Sequence, residues 1–98
     1  MGALSIDERR RGDETELVLS GELDLSTAGA LSAALASAAE HGPTVLALDV
    51  AELSFCDSTG LRALLSSPGP DPLVLRCVGP QLGRLLDLTE TRDRFRIE

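Results

Sequence analysis

The segment TVLALDVAELSFCDSTGLRALL, residues 44–65, joins a predicted strand to a predicted helix through a short polar turn. Residues 44–50 form an apolar run bounded by turn residues, which is typical of a strand buried on both faces. Beyond the turn, leucines recur at helical spacing, so the sequence predicts a helix that begins at Ser58 or Thr59. It is short because the prolines and glycine of residues 68–70 end it. The leucines expected to face the core are Leu61, Leu64 and Leu65.

The flanking segments repeat this alternation of strand and helix. Residues 15–20 predict a strand that Gly21 interrupts, and the segment GELDLS then leads as a loop to a helix over residues 28–39. The residues of this helix that fall at helical spacing on one face are Ala28, Leu31, Leu35 and Ala38. We expect Ser26 or Thr27 to cap that helix. The remaining predicted elements are an edge strand at residues 4–6, a strand at 73–78, a helix opened by Pro80 and a last edge strand at 94–97. This order favours an α/β sheet in a single domain that spans residues 1–98.

The charge balance excludes several classes of partner. Sixteen acidic residues against nine basic ones give a formal net charge of -7, which repels phosphate backbones and anionic lipid surfaces. The chain also lacks Trp and Tyr, the residues best suited to stack on bases. No apolar run is long enough to cross a membrane. We therefore expect a cytosolic protein that binds neither nucleic acid nor membrane directly.

The two cysteines do not predict a metal site or a disulfide framework. Cys56 and Cys77 lack CxxC spacing and have no histidine companions. Free cysteine usually behaves as a small buried hydrophobe, so we expect both to be buried in strands or at strand ends. We predict no metal ligands elsewhere in the chain.

The turn DSTG, residues 57–60, is the candidate functional site. A strand-to-helix turn exposes its side chains where open α/β sheets usually build sites, and the first turn of a helix offers N–H groups and a positive dipole end to an anion. Gly60 would keep the backbone open there. These features favour Ser58 as a phosphorylation site. The simpler interpretation is that Asp57 or Ser58 only caps the helix, and the residues alone leave both open.

A catalytic serine is a third interpretation, and the sequence offers it little support. A nucleophilic serine needs a base beside it, but the only histidine, His41, falls at the predicted end of the first helix. The sequence contains no GxSxG elbow, no SxxK motif and no glycine-rich phosphate loop with a lysine. We therefore predict no catalytic residue and no enzyme activity.

The order of the motifs resembles STAS domains, and among them the anti-sigma factor antagonists. The resemblance rests on LSGELDLSTAGAL (19–31), on residues 44–65 quoted above and on LVLRCVGPQLGRLLDLT (73–89). It covers most of the chain, and a GELD loop followed by a D-S-[ST]-G turn is much more specific than either motif alone. The resemblance implies a single STAS-like domain, with a small mixed sheet of four to five strands packed with about three helices.

The resemblance also implies a function for the turn. In such antagonists the serine after the aspartate is phosphorylated by an anti-sigma factor that is itself an ATP-dependent serine kinase. The unphosphorylated antagonist binds that anti-sigma factor and frees the sigma factor, which regulates transcription. This places phosphorylation on Ser58 and partner binding on Asp24, Asp57, Thr59 and Gly60. ATP and Mg²⁺ would belong to the partner, so the chain itself needs no cofactor.

Two alternatives remain beside this hypothesis. The chain could be a STAS subunit of a transport or stress-signalling assembly, in which Ser58 is not phosphorylated. It could also be a small enzyme that uses Ser58. The oligomeric state cannot be derived from the residues.

Overall fold

The computed structural model describes residues 2–98. Its strands form one five-stranded sheet with the order β1-β2-β3-β4-β5. β1 runs antiparallel to β2, and the other neighbouring strands are parallel. The predicted α/β class, with a mixed sheet of four to five strands and about three helices, is confirmed. The elements are β1 (Leu4–Arg11), β2 (Glu14–Leu23), α1 (Ala28–Ala39), β3 (Val45–Cys56), α2 (Ser58–Leu65), β4 (Leu73–Arg76), α3 (Pro80–Leu88), a 3₁₀ turn (Arg92–Arg94) and β5 (Phe95–Ile97).

All three helices lie on one face of the sheet. Each helix connects a strand to the next parallel strand, and the strand order advances across the sheet from β2 to β5 without reversing. Because such crossovers are right-handed, an order that never reverses places every helix on the same side of the sheet. The sheet row beneath them is apolar, because Leu17, Leu48 and Leu75 are in register and buried. α1 contributes the four residues that its spacing predicted: Ala28, Leu31, Leu35 and Ala38.

Three strands are longer than the sequence predicted. β1 continues to Arg11, beyond the predicted end at residue 6, because it pairs with β2 along its whole length. β2 does not end at Gly21, which adopts φ +115° beside a register shift and lets the strand continue to Leu23. A side chain there is excluded, because a Cβ on Gly21 would overlap the Ala3 carbonyl oxygen. β3 continues to Cys56, six residues beyond the predicted end at 50, because its exposed second half pairs with β2. That pairing is a long-range contact that local hydrophobicity does not encode.

The second half of the chain is close to prediction, with shorter ends. α2 spans Ser58–Leu65 and α3 begins at Pro80, as expected. β4 ends at Arg76 because Cys77 turns the backbone to φ +63°. The prediction that both cysteines are buried is correct for Cys56 and wrong for Cys77, which is exposed at this turn.

The sheet face without helices is covered by an ion-pair network around Arg76. The guanidinium binds both Glu14 carboxylate oxygens, at 2.9 and 3.0 Å, and also binds Glu16 at 2.9 Å and Glu98 at 3.0 Å. Arg76 thereby crosses β3 to reach β2. The Arg76 hydrogen bonds hold the pKa of Glu14 below its ordinary value of 4.5. The network joins β2, β4 and the segment after β5 across the open face.

We expect Arg76→Met to lower the free energy of unfolding at pH 7 by about 1–2 kcal/mol, because it leaves three neighbouring carboxylates without their shared cation. The Glu14 pKa is lower in the folded state, so the contribution is complete above pH 4.5 and is lost as the pH falls through the folded-state pKa. Urea unfolding of the native chain and the variant at pH 7 and pH 3.5 measures this. Arg96→Met is the control, because Arg96 is 67% exposed and, among residues 2–98, pairs only with Glu98. An equal loss in both variants would contradict the assignment.

Candidate functional site

The candidate site lies where β2 and β3 end side by side. Leu23 and Cys56 are in register as the last residues of these parallel strands. The Asp57 N–H donates to the Leu23 carbonyl oxygen at 3.2 Å, which ties the turn after β3 to the end of β2. The loop before α1 and the turn before α2 are therefore neighbours at one edge of the sheet.

Asp57 caps α2. Its carboxylate Oδ1 accepts a hydrogen bond from the Gly60 N–H at 2.9 Å, and its carbonyl oxygen accepts from the Leu61 N–H at 2.9 Å. Of the two residues predicted as candidate caps, Asp57 is therefore the one that caps α2. Ser58 becomes the first helical residue and is exposed, whereas Thr59 is half-buried.

Gly60 is buried, so the expectation that it leaves the backbone open is wrong. A Cβ on Gly60 would lie 2.6 Å from Leu23 Cγ, 2.8 Å from the Leu23 carbonyl oxygen and 3.2 Å from Cys56 Sγ. The glycine allows the first turn of α2 to pack directly on the ends of β2 and β3. Gly60 thus sets the position of Ser58 and Thr59, and its own surface is not available to a partner.

The loop of Asp24 is held by its own side chains. Asp24 Oδ1 accepts from the Ser26 N–H at 2.9 Å and from Ser26 Oγ at 2.6 Å. Thr27 is buried, receives the Asp24 N–H on its Oγ1 at 2.9 Å and donates from Oγ1 to the Glu22 carbonyl oxygen at 2.8 Å. The hydrogen bonds from Ser26 lower the pKa of Asp24. Thr27 occupies the N-cap position of α1 without making the side-chain cap bond expected of it.

Asp24 and Asp57 line the same shallow surface depression. Its other lining residues, Leu25, Ser26 and Phe55, were not predicted as site residues. A leucine inside the polar stretch DLS is the only sequence signal for Leu25. Phe55 falls beyond the predicted strand end, so its position depended on β3 being longer.

Gln81 of α3 fixes the residue before the turn. β4 has ended by this point, so β3 has no neighbouring strand on that side. The Gln81 side chain takes its place: Oε1 accepts from the Cys56 N–H at 3.0 Å, and Nε2 donates to the Cys56 carbonyl oxygen at 3.0 Å. The side-chain amide thus pairs with the Cys56 backbone as a strand would. Nothing in the sequence signalled this role.

The histidine that a serine nucleophile would need as its base is not at this site. His41 follows α1 and precedes β3, whereas Ser58 follows β3, so a twelve-residue strand separates them. Cys56 is buried, and burial raises the pKa of its thiol to about 12, with the Asp57 charge adding to the effect. Residues 2–98 contain no cluster of three or more potential metal-ligating side chains. No helix in the same range is long and apolar enough to cross a membrane.

Comparison with known families gives a match over nearly the whole chain. Residues 6–93 match the family model described as "Mlab, STAS domain". The chain belongs to the STAS domain family. No curated protein sequence matches it significantly.

Solved structures with the same fold include those of two anti-sigma factor antagonists. The chain is similar to an anti-sigma factor antagonist from Mycobacterium paratuberculosis, with a TM-score of 0.83, 24% identity, and 97% of this chain and 85% of that chain covered. It is also similar to the anti-sigma factor antagonist SpoIIAA in its unphosphorylated form, with a TM-score of 0.74, 18% identity and coverages of 96% and 88%. The phosphorylated form of SpoIIAA, described as a Bacillus cell fate determinant, is similar with a TM-score of 0.61 and 18% identity, and the match covers 96% of this chain and 91% of that chain. At these identities the similarity establishes the fold.

We expect Gly60→Ala to destabilise the fold by about 1–3 kcal/mol, because the added methyl overlaps a backbone oxygen that cannot rotate away. Gly29→Ala is the matched control: Gly29 is also in a helix, but it is exposed and has nothing within 4 Å of its Cβ direction. Alanine there should be neutral or stabilising. Thermal unfolding of the two variants measures the difference, and equal stabilities would refute the packing role of Gly60.

Replacement of Gln81 tests the two hydrogen bonds that its side chain forms with the Cys56 backbone, which we call the Gln81 clamp. Gln81→Leu keeps the size of the side chain but removes both hydrogen bonds, so we expect a loss of about 1–3 kcal/mol and faster exchange of the Cys56 amide hydrogen. Hydrogen exchange followed by NMR measures it. Arg84→Leu on the same helix should leave that amide unchanged, because Arg84 is exposed and forms no ion pair among residues 2–98. Unchanged protection in Gln81→Leu would show that water replaces the clamp.

Proposed function

We propose that this chain is an anti-sigma factor antagonist switched by phosphorylation of Ser58. Its unphosphorylated form binds an anti-sigma factor with ATP-dependent serine kinase activity, which frees the sigma factor, and phosphorylation of Ser58 releases the chain from that partner. The observation that supports this most directly is that Ser58 is exposed at the first position of α2, directly after Asp57, which caps the helix and lines the surface depression.

The partner would supply the chemistry of phosphoryl transfer. Ser58 Oγ attacks the γ-phosphorus of ATP, the bond from that phosphorus to the β–γ bridging oxygen breaks, ADP leaves, and the Oγ proton passes to a base of the kinase. This chain contributes the nucleophilic hydroxyl and its position, without a catalytic residue or cofactor of its own. Because the reaction needs ATP, the proposal places the protein in the cytoplasm.

Release follows from the charge that the reaction creates. The product phosphate carries about -1.5 to -2 charges at neutral pH. For in-line transfer, Ser58 Oγ must approach within about 3–3.5 Å of the γ-phosphorus, so the new phosphoserine lies beside the β-phosphate of ADP. Two anions in a closely packed contact repel each other, and neither can recover its hydration. The phosphorylated chain therefore dissociates.

The fold of this chain would change little. The Gly60 N–H already donates its hydrogen bond to the Asp57 carboxylate, so a phosphate on Ser58 would not replace Asp57 as the helix cap. Arg62 lies one turn after Ser58 on α2, is exposed, and forms no ion pair within residues 2–98. An acid four residues before a base on a helix gains about 0.2–0.5 kcal/mol, which is too little to alter the structure. The switch would thus act on the docking surface.

The other predicted site residues take distinct roles in this proposal. Asp24 and Asp57 offer carboxylates to the partner from the two neighbouring turns. Thr59 borders the modified serine. Gly60 is buried and acts by allowing α2 to approach the sheet.

The test is phosphorylation by a purified anti-sigma factor kinase from the source organism with Mg-ATP. We expect one phosphate by intact mass, located on Ser58 by peptide mapping, and none on Ser58→Ala. Ser66→Ala is the matched control, because Ser66 is exposed at the other end of α2 and should leave phosphorylation unchanged. In a binding assay, Ser58→Asp should weaken the complex at least 10-fold relative to Ser58→Ala, since it carries part of the phosphate charge.

The alternatives make different predictions in the same assay. A STAS subunit of a transport or stress-signalling assembly requires no modification of Ser58, and Ser58→Asp and Ser58→Ala would bind their partner equally. Phosphate on Thr59 would keep the mechanism and move the site. Hydrolysis of a substrate by the chain alone, lost in Ser58→Ala, would identify an enzyme.

A further inference from the structure

We propose that Leu25 and Phe55 are the apolar anchors of the docking surface beside Ser58, and that the anti-sigma factor receives them in an apolar pocket bordered by at least one arginine or lysine. This inference rests on the proposed function for the identity of the partner. It adds which side chains of this chain provide the binding affinity.

These two exposed hydrophobic residues lie together at one place on the surface. The structure of residues 2–98 leaves four large hydrophobic side chains exposed: Leu25 at 78%, Phe55 at 44%, Leu88 at 74% and Ile97 at 37%. Only Leu25 and Phe55 share a depression, which they line with Asp24, Ser26 and Asp57. Apolar groups gathered in one place beside polar ones are typical of a binding surface, whereas single exposed leucines are ordinary.

The backbone presents Leu25 in a fixed position. Leu25 lies between Asp24 and Ser26. The backbone N–H and the hydroxyl of Ser26 both donate hydrogen bonds to Asp24 Oδ1, which closes the turn around Leu25. The buried Thr27 then ties this turn to Glu22. An exposed leucine on a rigid turn loses little conformational freedom on binding, so most of the gain from its burial appears as affinity.

Phe55 reaches the same depression from the neighbouring strand. It lies in the last part of β3, in register with Glu22 of β2, and Cys56 beside it is fixed by Gln81. Phe55 is one of only two aromatic residues in the chain. The exposed part of the Phe55 ring contributes nothing to the hydrophobic core. Aromatic side chains that a partner buries are among the residues that dominate the binding energy of interfaces.

The charged border of the depression indicates the complementary chemistry. Its charged lining residues within the described chain are the carboxylates of Asp24 and Asp57, and Glu22 lies nearby in the last part of β2, in register with Phe55. A partner that buries Leu25 and Phe55 must bring its own groups close to these carboxylates. An arginine or lysine at that border satisfies them, whereas an apolar or acidic border would leave them unpaired.

The test measures binding of the unphosphorylated chain to the purified anti-sigma factor kinase by calorimetry, with a non-hydrolysable ATP analogue so that Ser58 stays unmodified. We expect Leu25→Ser to weaken binding by about 10- to 100-fold, and Phe55→Ser by at least as much. The matched controls are Leu88→Ser and Ile97→Ser, which remove equally exposed hydrophobic side chains outside the depression. They should change the dissociation constant by less than about 2-fold.

The partner's basic border is tested by salt. Asp24→Asn can still accept the hydrogen bonds of Ser26, so the turn should persist while the charge is lost. We expect weaker binding and a smaller salt dependence than in the native chain. An unchanged salt dependence would contradict the arginine or lysine. Thermal unfolding of each variant separates a binding defect from a folding defect. Phe55→Leu is a further control, because it keeps an apolar group at the same position.

The outcomes distinguish this inference from the proposed function. If the kinase phosphorylates Ser58 and Leu25→Ser binds as the native chain does, the anchors are wrong and the switch stands. If Leu25→Ser and Phe55→Ser lose binding while Ser58 is never modified, the anchors stand and the switch is wrong. An equal loss in Leu88→Ser also overturns the inference, because the effect would then not belong to the depression. If the native chain does not bind the kinase, both proposals fail.

Discussion

The parallel pairing of β2 with β3 continues to the last residue of each strand, and the geometry of the site depends on it. Leu23 lies opposite Cys56, and the Asp57 N–H bonds to the Leu23 carbonyl oxygen directly beyond this pair. Two turns that are more than thirty residues apart in sequence thereby become neighbours, each leading into a helix. A shorter β3 would separate Asp24 from Asp57 and leave no common depression.

The pairing of β2 with both of its neighbours and the packing of α2 on the sheet impose close contacts that only particular residues allow. Gly21 lets β2 pass the Ala3 carbonyl, and Gly60 lets α2 rest on Leu23. Where β4 has ended, Gln81 supplies the missing hydrogen bonds to the edge of β3. The result is a turn held by a backbone bond, a cap and a side-chain clamp, with the Ser58 hydroxyl facing solvent. A rigid frame around an exposed group suits a surface that a partner must recognise in one conformation.

Much of this architecture could be predicted from local patterns, because they depend on interactions within one element. The helical spacing from Ala28 to Ala38 predicted both the bounds and the buried face of α1, and Pro80 marked the first turn of α3. The acid in DSTG predicted a helix cap, which Asp57 provides. Predictions fail where the environment comes from distant residues. The local pattern predicts a strand end at Gly21, but pairing with β1 and β3 carries β2 to Leu23, and it predicts a buried Cys77, but β4 ends before that residue.

By itself, the sequence determined the α/β class, the positions of the helices and the polar turn at residues 57–60, since hydrophobic period, proline, glycine and capping residues act within a few positions of the chain. Only the tertiary structure decided that Gly60 is buried, that Gln81 replaces a strand, and that Leu25 and Phe55 share a depression with Asp24 and Asp57. The reason is physical. These properties depend on where β2 and β3 end relative to each other, and strand register arises from the fit of surfaces that lie far apart in the chain.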